Sequence, residues 1–147
     1  MSTDRLSSFG ADLAAIHHRL RADLRALQSG AAVGRDLKTH CLTFCSALTA
    51  HHTGEDGGAF VALAREFPEL APTIAKLEED HRMIAGIQER IVALVEGGGD
   101  YAGELDGLAA IMESHFRYEE RTITEALNEL REGTTEGLLG LPAEPLA

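Results

Sequence analysis

The chain has 147 residues with a hydrophobic fraction of 44%, so it can bury one substantial core and is too short for two. Its formal net charge of -11 excludes nucleic acid and anionic membranes as partners, because phosphates and acidic headgroups would repel it. The N-terminus has no apolar signal segment and no stretch reaches the roughly 18 apolar residues of a membrane span, so we expect a soluble cytoplasmic protein.

Apolar residues recur at steps of three and four along the first half of the chain, which predicts two amphipathic helices. The first covers residues 8–28 and ends near Gly30. The second follows Asp36, a helix-capping residue, and continues through the sequence HHTGED to about residue 66. Pro68 fits a break after it.

The second half shows the same spacing and predicts two more helices. The third ends at the glycines of positions 97–99, and the fourth runs from about residue 100 to 132. Four such helices with short loops predict an all-α, antiparallel up-down-up-down four-helix bundle over residues 1–132. Residues 133–147 contain glycine and proline without a clear period, so we expect a C-terminal tail that docks loosely or stays mobile.

Polar residues at core positions repeat at a spacing of 64 residues, as between His17 and His81 (81 − 17 = 64). The same shift pairs His51 with His115 and Glu55 with Glu119. Apolar residues of the helices repeat at the same spacing. The pattern predicts an internal pseudo-repeat of two helices, which would bring histidines of all four helices toward one axis.

The sequences HHTGED and HFRYEE each contain a His and a Glu four positions apart. At about 100° per residue such a pair lies on one helical face, so both side chains can reach one metal ion. Imidazole nitrogens together with carboxylate oxygens suit iron, manganese or zinc, and a carboxylate can bridge two ions. The sequence therefore predicts a dinuclear metal site. In both sequences the His precedes the Glu by four positions, so neither has the Glu-x-x-His spacing of ferritin-like proteins.

Adjacent residues compete for three of these positions. On the first helix, His17 lies near the apolar stripe and His18 points to the opposite side, so His18 is assigned to solvent. The repeat favours His51 over its neighbour His52. It also favours Glu119 over Glu120.

A His on the first helix, H-x-x-x-E on the second, a His on the third and H-x-x-x-E on the fourth resemble the hemerythrin-like proteins, or HHE cation-binding domains, over about residues 9–130. The resemblance implies a four-helix bundle with two non-haem iron ions joined by an oxo or hydroxo bridge. Such a centre reacts with or binds O2, hydrogen peroxide or nitric oxide. The metal ligands it implies are His17, His51, Glu55, His81, His115 and Glu119.

The chain departs from the oxygen-carrying hemerythrins, which have H-x-x-x-H on the third helix. The positions four residues from His81 are Leu77 and Ala85, so a fifth histidine is missing. Those carriers also place the last carboxylate at the position of Glu120. One iron would then be less saturated or recruit water, His52, Glu120 or Tyr118. Redox chemistry or sensing is therefore favoured over reversible O2 transport.

The resemblance implies two classes of function. The first is a redox enzyme, either catalase/peroxidase-like or detoxifying nitric oxide. The second is a module that binds or senses O2, nitric oxide or iron without turnover. Iron storage is disfavoured because one small bundle has no mineral cavity. The expected partner is a small diatomic or peroxide ligand, and the expected assembly is a monomer or weak homodimer.

Other notable residues have plainer expected roles. Cys41 and Cys45 share a helical face and should fill the core rather than form a redox pair. His40 and the acidic run at 78–80 should face solvent, and Tyr118 should lie at the core boundary. The glycines of the second helix, Gly54, Gly57 and Gly58, either leave room for a ligand or mark local irregularity.

Overall fold

The computed structural model describes residues 8–30 and 36–144, and all regular structure in those ranges is helical. The six α-helices are α1 (Phe9–Ser29), α2 (Leu37–Gly57), α3 (Ala59–Glu66), α4 (Ala71–Glu96), α5 (Ala102–Glu129) and α6 (Thr135–Leu139). A single 3-10 turn, Pro68–Leu70, precedes α4. The predicted all-α class is confirmed. Within the described ranges, none of the helices has the length and apolar character needed to cross a bilayer.

Capping residues mark the starts of α1 and α2 and the end of α1. The hydroxyl of Ser8 accepts from the amide of Ala11 at 3.1 Å, and Asp36 accepts from the amide of Thr39 at 2.7 Å. These bonds satisfy amides that have no partner inside the helix. Gly30 ends α1 in the left-handed conformation with φ of 72°, which glycine adopts without steric cost.

The four long helices pack as a ring around one core. Helix α1 contacts α5 and α2, and α4 contacts the same two helices. The predicted apolar stripes point inward, and their fully buried members include Leu13, Ile16, Leu48, Leu77, Ile84, Ile91, Leu108 and Ile123. Cys41 and Cys45 are free thiols in this core, which confirms the role predicted for them.

The second predicted helix is not continuous, so the expectation of one helix to residue 66 is wrong. It divides at Gly58, whose backbone (φ −117°, ψ −86°) leaves the helical region. A Cβ atom on Gly58 would collide with the carbonyl oxygen of Gly137, so the glycine permits close packing that any other residue would block. The break separates α2 from α3, and α6 packs against both.

The segment expected to be a loose or mobile tail contributes a sixth helix. The hydroxyl of Thr134 caps α6, and Leu138 and Leu139 are buried against the bundle. Helix α6 contacts α2, α3 and α1. Residues 135–140 are therefore part of the packed structure, because two leucines supply an apolar face that the sequence period was too short to reveal. Residues 145–147 lie outside the described part of the chain.

Candidate metal centre

Each of the four long helices contributes at least one imidazole to a buried polar cluster inside the bundle. The cluster contains His17 from α1, His51, His52 and Glu55 from α2, His81 from α4, and His115 and Glu119 from α5. All seven side chains are buried, and both glutamates are 0% exposed. Buried ionisable groups are costly unless they are paired or bind a metal, so this concentration requires a chemical explanation.

One half of the cluster lies between α1, α2 and α5. Its candidate donor atoms belong to His17, His51, Glu55 and Glu119. The Nε2 atom of His17 lies 3.0 Å from Oε1 of Glu119 and 3.2 Å from Nε2 of His51. The Nε2 atom of His51 lies 3.6 Å from Oε1 of Glu55. Two imidazoles and two carboxylates thus surround one position.

The other half lies between α2, α4 and α5. Its candidate donor atoms belong to His52, Glu55, His81 and His115, and in each half these atoms lie within 4.8 Å of one another. The Nε2 atom of His81 is 3.2 Å from Oε1 of Glu55. The rings of His52 and His81 stack with centroids 3.8 Å apart. Glu55 is common to both halves, which is the arrangement a bridging carboxylate requires.

The outward nitrogens of four histidines are held by hydrogen bonds. The Nδ1 partners are Glu120 for His17 at 2.6 Å, the Leu139 carbonyl for His51 at 2.7 Å, Asp56 for His81 at 2.8 Å and Asp80 for His115 at 3.1 Å. Each bond directs Nε2 into the cluster. Metal-binding imidazoles are oriented by carboxylates or carbonyls in this way.

Most nitrogen and oxygen atoms that face into the cluster lack hydrogen bonds, unlike the outward nitrogens. Among the described residues, Nε2 of His52, His81 and His115 and all four carboxylate oxygens of Glu55 and Glu119 make no hydrogen bond. Leaving so many buried polar atoms unpaired would cost about 1–3 kcal/mol each. Cations placed among them would satisfy nitrogen and oxygen donors together. The residues present therefore fit a metal centre.

The electrostatics of the cluster agree with that fit. Burial, with a smaller contribution from His17, lowers the pKa of His51 to about 4, and burial lowers the pKa of His81 to about 3. Both imidazoles are therefore neutral at pH 7, the form that binds metals. Burial and the nearby Glu119 carboxylate raise the pKa of Glu55 well above its usual range. A cation would offset this unfavourable effect on the charged form of Glu55, since it stabilises both carboxylates as anions.

The six residues predicted as ligands all lie in this cluster. Of the competing neighbours, His18 is exposed on the surface of α1, and Glu120 binds Nδ1 of His17 instead of facing the cluster. Tyr118 is half-buried, and its ring lies under the charged ends of Lys76 and Arg121. His52, which the sequence ranked behind His51, points into the second half of the cluster beside His81.

Two other expectations are wrong, and one of the two alternatives left open for the glycines is excluded at two positions. His40 does not face solvent, because α2 turns that position inward and leaves it only 7% exposed. Asp80 is not on a solvated helix face either, since it is buried against His115 and holds its Nδ1. The glycines at positions 54 and 58 do not open a space for a ligand, because α6 packs directly on them.

Sequence reasoning also missed residues around the cluster. Asp56 and Asp80 each neighbour a predicted ligand in the chain, and that adjacency was the signal that could have identified them. The Leu139 carbonyl had no such signal, because any residue carries a backbone oxygen.

The family model of the hemerythrin HHE cation binding domain matches residues 10–132. The match spans all four long helices and every side chain of the buried cluster, and it ends before α6. No curated protein and no solved structure gave a match. The buried histidines and glutamates fit the cation binding that this description names. The chain belongs to the hemerythrin HHE cation-binding domain family.

Proposed function

We propose that the protein is a non-haem di-iron protein that reacts with small oxidants. Glu55 would bridge the two ions. The first ion would be held by His17, His51 and Glu119, and the second by His52, His81 and His115. The observation that carries this proposal is the pair of buried donor groups that share Glu55.

The choice of iron follows from the donor set and the family. Imidazole nitrogens with carboxylate oxygens suit iron, and the absence of cysteine from both groups disfavours soft metals. When bound, an iron pair supplies redox chemistry toward hydrogen peroxide, nitric oxide or O2. As part of the same proposal, the four long helices form an antiparallel up-down-up-down bundle, and its two halves are copies related by the 64-residue spacing between His17 and His81 (81 − 17 = 64).

The surroundings of the cluster favour a small ligand. A cavity of about 150 Å³ reaches His52 and His81, and its outer lining includes the exposed residues Thr53 and Arg82. On the opposite side the ring of Phe116 stacks on His17 with centroids 3.7 Å apart, which keeps water from that face. A peroxide or diatomic molecule fits such a path, and a larger organic substrate does not.

Hydrogen peroxide breakdown is the reaction we favour. Two molecules of hydrogen peroxide yield two of water and one of O2, so no external electron donor is needed. Reduction of nitric oxide would need one. A second candidate function, binding or sensing without turnover, is favoured by a different observation: His51 is bonded to the C-terminal segment, which could transmit the state of the centre to a partner.

Metal analysis with a peroxide assay tests both candidates. The protein is loaded anaerobically with Fe²⁺, and iron per chain is measured before hydrogen peroxide is added. Two irons with O2 evolution would support the enzyme. Two irons with a stable spectral change and no O2 would support the sensing module. Fewer than two irons per chain would contradict the di-iron proposal.

A further inference from the structure

The short helix α6 is attached to α2 directly over the buried cluster. Leu139 is 0% exposed and Leu138 is 6% exposed, so the segment has its own apolar anchor. The hydroxyl of Thr135 donates to Oδ2 of Asp12 at 2.5 Å, and Arg19 donates to the carbonyl of Ala143 at 2.8 Å. These hydrogen bonds join residues 135–143, here named the C-terminal clasp, to α1, and the packing of α6 joins the clasp to α2.

Glycines make the close contact between the clasp and α2. A Cβ atom on Gly54 would collide with the backbone of Gly140, and one on Gly140 would collide with the carbonyl of Ala50. Gly57, one turn along α2, has open space where a Cβ would stand. The sequence HHTGEDGG therefore combines three metal-site residues with a glycine surface against which the clasp packs.

The contact continues into the cluster through one hydrogen bond. Nδ1 of His51 donates to the carbonyl oxygen of Leu139 at 2.7 Å, and both residues are fully buried. A donating Nδ1 leaves the lone pair on Nε2, which faces His17 and Glu55. The other three oriented histidines bond to carboxylates on α5, α2 and α4, whereas His51 alone among them depends on the clasp.

We propose that the C-terminal clasp is a positioning element of the metal centre: the Leu139 carbonyl orients His51 for one ion, so clasp docking and occupancy of that ion stabilise each other. This inference rests on the proposed di-iron function. The clasp lies outside residues 10–132, the part that matches the family.

The coupling must act in both directions. If docking orients His51 and tightens binding of the ion, then binding of the ion must strengthen docking by the same factor. Affinity for the second ion should hardly depend on docking of the clasp, since Asp56 on α2 and Asp80 on α4 hold the histidines of that ion. Outer partners of metal ligands are typically worth about 10–100-fold in affinity, so the effect is measurable.

Gly54→Ala tests the inference, with Gly57→Ala as its matched control in the same helix. Affinity for Fe²⁺ is measured anaerobically by chelator competition, and hydrogen exchange of residues 135–143 is measured with and without Fe²⁺. In the unmodified protein, Fe²⁺ should slow exchange in the clasp. Gly54→Ala should speed clasp exchange and weaken one ion by about 10-fold or more. Gly57→Ala should leave both quantities unchanged.

Arg19→Ala is a milder second variant, because it loosens the clasp from α1 without placing an atom against α2. It should weaken the same ion in the same direction as Gly54→Ala. The inference is overturned if the clasp exchanges faster in either variant while both ions keep their affinity, or if Fe²⁺ leaves clasp exchange unchanged in the unmodified protein. Failure of the unmodified protein to bind two irons would instead reject the proposed function.

Discussion

Glu55 and His81 meet between two different helices, with Oε1 of the carboxylate 3.2 Å from Nε2 of the imidazole. The same oxygen lies 3.6 Å from Nε2 of His51 on its own helix. Neither carboxylate oxygen makes a hydrogen bond among the described residues. One carboxylate therefore faces imidazoles of both halves of the cluster, and this relationship leads to the first prediction.

Replacement of Glu55 by alanine should remove most of the metal. The side chain is the one donor common to both groups, so its loss weakens both ions instead of one. Iron per chain after anaerobic loading is the measurement. Glu125→Ala on the exposed face of α5 is the control and should keep both ions. A Glu55→Ala protein that retains two tightly bound irons would reject the bridging role.

His52→Ala should remove or weaken one ion and spare the other. The imidazole of His52 is buried beside His81 with Nε2 unpaired, whereas it is absent from the group around His17. Chelator competition should resolve a weakened ion and an unchanged one. His18→Ala, which alters an exposed histidine on α1, should change neither. If His52→Ala binds both ions as tightly as the unmodified protein, His52 is not a ligand.

Asp80→Ala should weaken the ion at His115 by about 10–100-fold, since it removes the partner that holds Nδ1 at 3.1 Å. Asp80 is itself outside the cluster, so the loss reports on orientation of the ligand. The adjacent Glu79 is exposed, and Glu79→Ala is the matched control. Equal metal affinities for the two variants would show that the hydrogen bond to His115 does not matter for binding.

Cys45 should resist alkylation in the folded protein. Burial raises the pKa of its thiol from 9.0 to about 12, so almost no reactive thiolate exists at pH 8. Because the folded value is the higher one, this thiol's contribution to stability is complete below about pH 9 and is lost as the pH rises toward 12. Labelling with iodoacetamide at pH 8 should be slow in buffer and fast in urea. Rapid labelling of the folded protein would contradict the buried position.

Much of the site could be predicted because its signals are local. Positions four apart lie on one face of any helix, so the pairing of His51 with Glu55 depends on helical geometry alone. The apolar stripes likewise follow from a period of 3.6 residues. The break at Gly58 was missed because glycine is tolerated within helices, and here it is packing against α6 that requires the turn.

The inward direction of His52 could not be read from the same period. Residues 51 and 52 are about 100° apart around a helix, and only one of them belongs to a single apolar face. Among the long helices α2 contacts two, α1 and α4, so His51 faces His17 and His52 faces His81. The arrangement of helices, not the local pattern, brings both histidines into the cluster.

The sequence by itself determined the helical class, the resemblance to the HHE domains and the six candidate ligands, because each depends on residue spacing within a helix. Only the tertiary structure decided the roles of His52, Asp80 and the Leu139 carbonyl. Their partners come from distant parts of the chain, and a backbone oxygen has no side chain to mark it. Spacing along one helix indicates which side chains share a face, whereas packing between helices determines which residues that face contacts.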